Sequence, residues 1–349
     1  MAPALILPSP PELSHFRPEP VQTLHSKQPI LLTVRPNLNK APALELPGLY
    51  TKPSAILLLK YLVHLTLLPP SWDGPPADTL VAPPGPTKWL TSIIASPLHW
   101  IADEETQEQI WNSASARLAE RCGRTAMPST TRTFRIPLSS ETLELTIHEP
   151  TLTADNLGLK TWASSYLLSK RLLQLPLPHF APGARILELG SGTGLVGLSA
   201  AGMWDVPVLL TDLPEIMPNL RRNVDANRAI LKSRVDVAVL DWRDDAGGRR
   251  ECEKFDVILA ADPIYSPEHP ALVAGMVDVW MKKGPQARAV VEIPLRDGFG
   301  REREGFKECM SAKGLVVMEQ GVETGFDDWG NGEVQCWWSV WGWDERCLV

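Results

Sequence analysis

Between residues 131 and 148 apolar and polar side chains alternate. Phe134 and Ile136, then Leu143, Leu145 and Ile147, take every second position, as on strands with one buried face. Ser139-Ser140 supplies the turn, and a hairpin of Thr131–Pro137 and Thr142–His148 is predicted. From about residue 155 the texture changes to short apolar runs separated by amphipathic stretches. Ala184–Leu189 reads as a strand, followed by a glycine-rich turn and a helix through Ala200. Val206–Thr211, Val235–Leu240, Phe255–Ala261 and Ala287–Ile293 read as further strands. Helices are predicted over Pro214–Ile230, Pro270–Lys282 and Phe299–Lys313. Leu315–Glu319 and Val334–Trp341 close the chain as two strands without a helix between them. Strand–helix alternation implies a parallel sheet with helices on both faces, and the terminal strand pair implies an antiparallel edge.

The N-terminal third differs. More than half of the 33 prolines fall in residues 1–100, and proline blocks helix interiors, so only short elements are expected there. Pro53–Leu68 reads as a buried helix with proline in its first turn. A second helix is predicted over Asp103–Arg121, where Asp103, Glu104 and Glu105 suit the positive end of the helix dipole. Its apolar positions Ile110, Ala114 and Leu118 form a narrow stripe. The chain therefore divides into a proline-rich, partly helical extension, residues 1–129, and an α/β domain, residues 130–349, opened by the hairpin.

Charge and composition narrow the function. With 34 basic against 41 acidic side chains and a net charge of −7, broad binding to a nucleic-acid backbone is excluded. The 5 cysteines, Cys122, Cys252, Cys309, Cys336 and Cys347, are scattered, which reads as reduced intracellular thiols rather than a zinc site. His99, His148, His179 and His269 lack metal-ligand spacing and read as structural or surface residues. The longest apolar stretch, Ile56–Leu68, is too short for a bilayer and contains Lys60 and His64. No apolar leader segment is visible. A cytoplasmic monomer with neither nucleic acid nor membrane as partner, and no metal, is expected.

The strongest chemical signal is Glu188-Leu-Gly190-Ser191-Gly192-Thr-Gly194-Leu-Val-Gly197, where a strand turns into a helix. Glycines there let a ligand approach the backbone, and the new helix offers unpaired N–H groups. Gly192 to Gly197 also satisfies the dinucleotide pattern GxGxxG, so a nicotinamide or flavin enzyme fits this segment too. Asp212 ends the next strand, where a carboxylate can accept from ribose hydroxyls or, alternatively, cap the following helix. Glu188 could meet a ligand ammonium or brace the loop. Asp241-Trp242 places an indole where an adenine could stack. Asp262-Pro263-Ile264-Tyr265 closes the fourth strand, at the sheet edge where open α/β folds bind ligands.

Together, ELGSGTGLVG, TDLPE, LDW and AADPIY resemble the seven-β-strand, class I S-adenosylmethionine-dependent methyltransferases, and more narrowly the family-16 group of protein-lysine methyltransferases. Gly158–Ser165 resembles the tryptophan-containing entry helix of that group. Thr324–Trp329 and Cys336–Trp341 resemble fungal enzymes that methylate translation elongation factors, which points to elongation factor 2 or 3 as protein substrate. The resemblance covers about residues 130–349 and implies a Rossmann-like seven-stranded sheet with an antiparallel edge. It implies that Trp162 flanks the methionine end of S-adenosyl-L-methionine, that Gly190, Ser191 and Gly192 form the backbone cradle, and that Asp212 holds the ribose. Trp242 would lie along the adenine and Ala261 would line the pocket. Asp262 and Tyr265 would face the incoming lysine as the catalytic pair, with Pro263 stiffening a position that is an ordinary apolar residue in many relatives. The extension would then dock the protein substrate.

Other readings stand beside this one. A class I methyltransferase acting on a small molecule would call for a lid over the substrate. A nicotinamide oxidoreductase would need a Tyr-x-x-x-Lys pair, yet the residue four after Tyr265 is His269. Trp242 and Trp162 could be packing residues. Strand alternation puts Trp337 and Trp341 on one face and Trp338 on the other, so part of that aromatic run is expected in the core.

Overall fold

The computed structural model describes residues 46–67, 72–74, 84–122, 126, 128–151, 157–177, 179–244, 253–327 and 333–347. Residues 1–45 of the expected extension, Leu68, Cys252 and the Asp328-Trp329 pair lie outside the described residues.

Three helices come first. α1 (Ala55–His64) starts after Ser54, whose hydroxyl accepts the Leu57 amide at 3.4 Å, so Pro53 precedes the cap instead of lying in the first turn. Leu58 and Leu62 are buried while Ile56 and Val63 are exposed, so α1 is one-sided, not buried throughout. α2 (Pro84–Ala95) runs for 12 residues where the prolines led us to expect only short elements. Pro84 and Pro86 fall in its first turn, where amides have no intrahelical partner to lose, and Leu90 and Ile93 form its buried face. α3 (Glu104–Ala119) starts where the acidic cluster predicts: the Asp103 carboxylate accepts the Thr106 amide at 3.0 Å. Leu58, Leu62, Leu90, Ile93, Ile110 and Ala114 give these helices a core of their own.

The hairpin forms as read, from β1 (Thr130–Pro137) and β2 (Thr142–Glu149), paired antiparallel with Phe134, Ile136, Leu143, Leu145 and Ile147 buried. The strands of the main sheet are β3 (Ile186–Leu189), β4 (Val208–Asp212), β5 (Val235–Val239), β6 (Val257–Ala261), β7 (Arg288–Pro294), β8 (Leu315–Phe326) and β9 (Glu333–Trp343). Their order is β5-β4-β3-β6-β7-β9-β8, with the first five parallel and the last two antiparallel to their neighbours. This is the expected seven-stranded α/β sheet with an antiparallel edge.

Helices α4 (Ala163–Arg171), α5 (Leu195–Met203) and α6 (Met217–Asn227) cover one face, with the hairpin packed over them. Helices α7 (His269–Trp280) and α8 (Gly300–Ala312) cover the other. Pro218 sits in the first turn of α6, which settles where that helix starts. Side chains of α6 join the hairpin to the sheet domain: Asn223 Oδ1 accepts the His148 amide and Asn227 Oδ1 the Thr146 amide, each at 2.8 Å, and Asn219 Nδ2 donates to His148 O at 3.1 Å.

The tryptophan run follows strand alternation, but both faces are core. Trp338 packs with the α4–α6 side, and Trp337, Trp341 and Trp343 with the α7–α8 side. Strand β8 extends seven residues past Glu319, to Phe326, and its register on β9 shifts between Val317 and Glu319, a β-bulge. Among the described residues no helix is long and apolar enough to cross a membrane, and no cluster of His, Cys, Asp and Glu could hold a metal ion.

Candidate active site

Strand β3 has β4 on one side and β6 on the other, so the chain order reverses there. Ligands of open α/β sheets bind at such a point, beyond the carboxyl ends of the strands. A cavity of about 510 Å³ opens at this edge. Trp162, Gly190, Ser191, Gly192, Asp212, Trp242, Ala261, Asp262 and Tyr265, the residues that the resemblance assigns to the site, line it, whereas Glu188 does not.

The floor is the glycine loop between β3 and α5. Gly190 and Gly192 adopt φ of 63° and 55°, in the left-handed region that other residues avoid. A Cβ on Gly190 would lie 3.0 Å from the Trp242 ring, and one on Gly192 would lie 2.9 Å from the Gly158 carbonyl oxygen. The loop is therefore packed closely against two other cavity residues, with no room for a side chain at either glycine. Ser191 is tied to β4, since its amide donates to Thr211 O at 2.9 Å and its hydroxyl accepts the Thr211 amide at 3.0 Å.

Glu188 braces the loop. Its buried carboxylate accepts the Gly197 amide at 3.0 Å, at the start of α5, and burial pushes its pKa up to about 8. Asp212 is not a helix cap: α6 begins after Ile216, and the Asp212 oxygens accept the amides of Gly192 at 2.7 Å and Leu213 at 2.8 Å. Desolvation raises its carboxyl to about 6, against the lowering effect of those two N–H groups.

Trp242 stands past the end of β5, half-buried, with its ring edge-on to His269 at 5.7 Å. Tyr265 is 55% exposed at the mouth and meets the same imidazole edge-on at 4.2 Å. His269 thus holds two cavity aromatics together, and the Tyr265 amide donates to its Nδ1 at 3.4 Å. The sequence, in which His269 has neither metal-ligand spacing nor the place of a catalytic lysine, gives no sign of this role.

Asp262 directly follows β6 with φ of 54°, and its amide donates to Glu292 O on β7 at 2.7 Å. That bond turns the carboxylate inward, where it is buried. Arg296 meets it with both terminal nitrogens, Nη2 at 2.6 Å and Nη1 at 3.3 Å. Burial raises the Asp262 carboxyl to about 6, with the Arg296 cation holding it down against that effect. Arg296 also covers Trp162, the residue capping α4, at 5.0 Å from the ring centroid. No motif in the sequence marks Arg296. A signal was available, since it lies two residues beyond the carboxyl end of β7, at the same sheet edge as every other site residue.

Comparisons with known proteins identify relatives of this chain. A family model described as lysine methyltransferase matches residues 139–293. "Protein-lysine N-methyltransferase EFM2" of Saccharomyces cerevisiae is 40% identical over 252 residues, covering 65% of this chain and 58% of that protein. This chain thus aligns with little more than half of that relative's length. "Protein-lysine N-methyltransferase rrg1" of Schizosaccharomyces pombe is 34% identical over 278 residues, covering 77% of this chain and 88% of that protein. Among solved structures, a methyltransferase from Pyrococcus furiosus overlays with a TM-score of 0.39 at 19% identity, over 54% of this chain and 86% of that one.

Proposed function

The chain belongs to the lysine methyltransferase family, and from that premise we propose that it transfers a methyl group from S-adenosylmethionine to a lysine of a translation elongation factor, elongation factor 2 or 3 by preference. The observation that carries the methyl-transfer reading is the convergence of the glycine loop, Asp212, Trp242, Trp162 and Asp262 on one cavity. The choice of substrate is supported by the resemblance of Thr324–Trp329 and Cys336–Trp341 to fungal enzymes that modify those factors. A cytoplasmic location accords with that substrate.

The residues present fit the cofactor. The Gly190–Gly192 backbone lies open at positions where an added Cβ would collide with Trp242 or Gly158, which is the form of a cradle for close ligand approach. Asp212 keeps lone pairs beyond the two amides it accepts, enough for ribose hydroxyls. Trp242 offers an apolar face to the adenine, and Ala261, at the end of β6, lines the pocket beside it. Trp162 bounds the methionine end.

S-adenosylmethionine supplies a methyl group already activated as a sulfonium. The protein has mainly to align the acceptor, and orientation of this kind is worth ~7–11 kcal/mol. A lysine amine, with its ordinary pKa of about 10.4, must arrive without its proton. A desolvated entry lowers that pKa. Asp262 then orients the amine by accepting one of its N–H groups, and Tyr265 shapes the mouth. The helices α1–α3, with their separate core and the exposed Ile56 and Val63, serve to dock the protein substrate.

The test is incubation of the purified protein with radiolabelled S-adenosylmethionine and, separately, purified elongation factor 2, elongation factor 3 and a cytosolic extract. Label on a lysine of either factor, located by mass spectrometry and lost with Asp262→Asn, is the expected result. Label on a lysine of another protein would replace the substrate, and label only in small molecules would replace the reaction.

A further inference from the structure

Arg296 joins two walls of the cavity, and neither the glycine loop nor the Asp262-x-x-Tyr265 motif accounts for it. Its carbonyl accepts from the Phe299 amide and from Arg303 Nη1, each at 3.4 Å, which anchors the turn between β7 and α8. From that anchor the guanidinium forks onto Asp262 and covers Trp162. The Asp262 side chain is 6% exposed and that of Arg296 36%, so the carboxylate lies inside and the cation forms the outer surface of the pair.

Two consequences follow from charge. A carboxylate taken out of water drifts toward its neutral form unless a cation lies against it, and a guanidinium is a cation that does not deprotonate. The fork uses one side of the carboxylate and leaves lone pairs for an acceptor N–H. The pair is also net neutral, with its positive end outward. A second cation brought against that outer end meets Arg296 more closely than Asp262 and is repelled, whereas a neutral amine is not. The titratable groups that interact with the pair are Asp327 just past β8, Cys336 on β9 with Glu292 on β7 beside it, and Tyr265 after β6; Lys160 lines the same cavity, its ammonium donating to Pro150 O at 2.7 Å.

Resting on the lysine-methyltransferase reading, we propose that Arg296 is a positioning residue of the acceptor end. It holds Asp262 ionised and in place, and its charge selects the neutral amine of the incoming lysine over the ammonium.

The experiment measures initial rates of tritiated methyl transfer to the elongation factor that the wild-type protein labels, from about pH 6.5 to 10, for wild type, Arg296→Gln and Arg296→Lys. Cofactor affinity is measured in parallel by calorimetry. Loss of the cation raises the pKa of the acceptor lysine and of Asp262 alike, so in Arg296→Gln the acidic limb of the rate profile moves up by about one pH unit. The maximal rate falls at least ~10-fold while the cofactor Kd stays within about threefold. Arg296→Lys returns the limb to its wild-type position but only part of the rate, because an ammonium cannot form the fork. A limb that does not move in Arg296→Gln, with the rate lowered uniformly, would reduce Arg296 to a structural part and overturn the proposal. If Arg296→Gln does not fold, Arg296→Met takes its place and is read by the same limb: a limb moved up with cofactor affinity intact supports the proposal, and an unmoved limb overturns it. A wild-type protein that binds cofactor but labels no protein lysine would instead sink the underlying reading, and the proposal with it.

Discussion

The Gly192 amide donates to Asp212 Oδ2 at 2.7 Å across 20 residues of chain. One carboxylate therefore pins the tip of the glycine loop to the end of β4 and faces the cavity as well. Its loss should loosen the loop and remove a ligand contact together. Hydrogen bonds to a charged group contribute ~1.5–3 kcal/mol, so Asp212→Ala should weaken cofactor binding by roughly ten- to a hundredfold. Because desolvation raises this carboxyl to about 6, the contact is present in full above that pH and is lost below it. Calorimetry across that range should show cofactor affinity falling on the acid side in wild type, with a flatter profile in Asp212→Ala.

Glu188 makes a prediction about stability. Its pKa rises from an ordinary 4.5 when exposed to about 8 in the folded protein. A carboxyl group shifted upward contributes stability that is full below the unfolded value and is lost as pH rises through the folded one. Glu188→Gln keeps an oxygen to accept the Gly197 amide and carries no titrating proton. The fall in wild-type melting temperature between those two pKa values should therefore be shallower in the variant.

Gly192→Ala should be costly. Its φ of 55° is one that L side chains rarely adopt, and the new Cβ would stand 2.9 Å from a backbone oxygen that cannot swing away. The left-handed conformation alone costs ~1–2 kcal/mol for a residue with a Cβ. Urea unfolding should show at least that loss, and cofactor affinity should fall with it as the loop shifts.

Trp341 tests whether the C-terminal aromatic run is core or substrate platform. It is 1% exposed, packs edge-on against Phe306 at 5.8 Å and donates its Nε1 proton to Ser339 Oγ at 2.9 Å. Trp341→Ala should lose ~3–5 kcal/mol of stability. Activity per folded molecule, measured well below the melting temperature, should change little.

The main sheet was readable because β3, β6 and β7 are buried on both faces and appear as short apolar runs closed by Gly190, Asp262 and Pro294. Most of the site was readable because Gly190 to Gly192, Asp212, Trp242, Ala261, Asp262 and Tyr265 stand at or just past the carboxyl end of a strand, whereas Trp162, which caps α4, is reached through the resemblance carried by Gly158–Ser165. Helix α2 was hidden by Pro84 and Pro86, which break helices anywhere except the first turn, where they fall. The second half of β8 was hidden because an edge strand facing water need not alternate, and Gln320 to Gly325 reads as loop. Arg296 and His269 were hidden because their partners come from other elements. The first meets Asp262, 34 residues away, through the pairing of β6 with β7, and the second is set between Tyr265 and Trp242 by where α7 starts.

The outermost strand also governs how these molecules behave in a crowd. β8 has 12 residues with one side paired to β9, and it shows Met318 and Val322 to solvent at 52% and 56% exposure. A straight edge of that length and apolarity invites a neighbouring chain to add a strand and begin a filament. The bulge between Val317 and Glu319 breaks the register such a guest would need, and the exposed Glu319 sets a carboxylate beside Met318. Straightening the bulge and neutralising Glu319 would turn a guarded edge into a seed for aggregation.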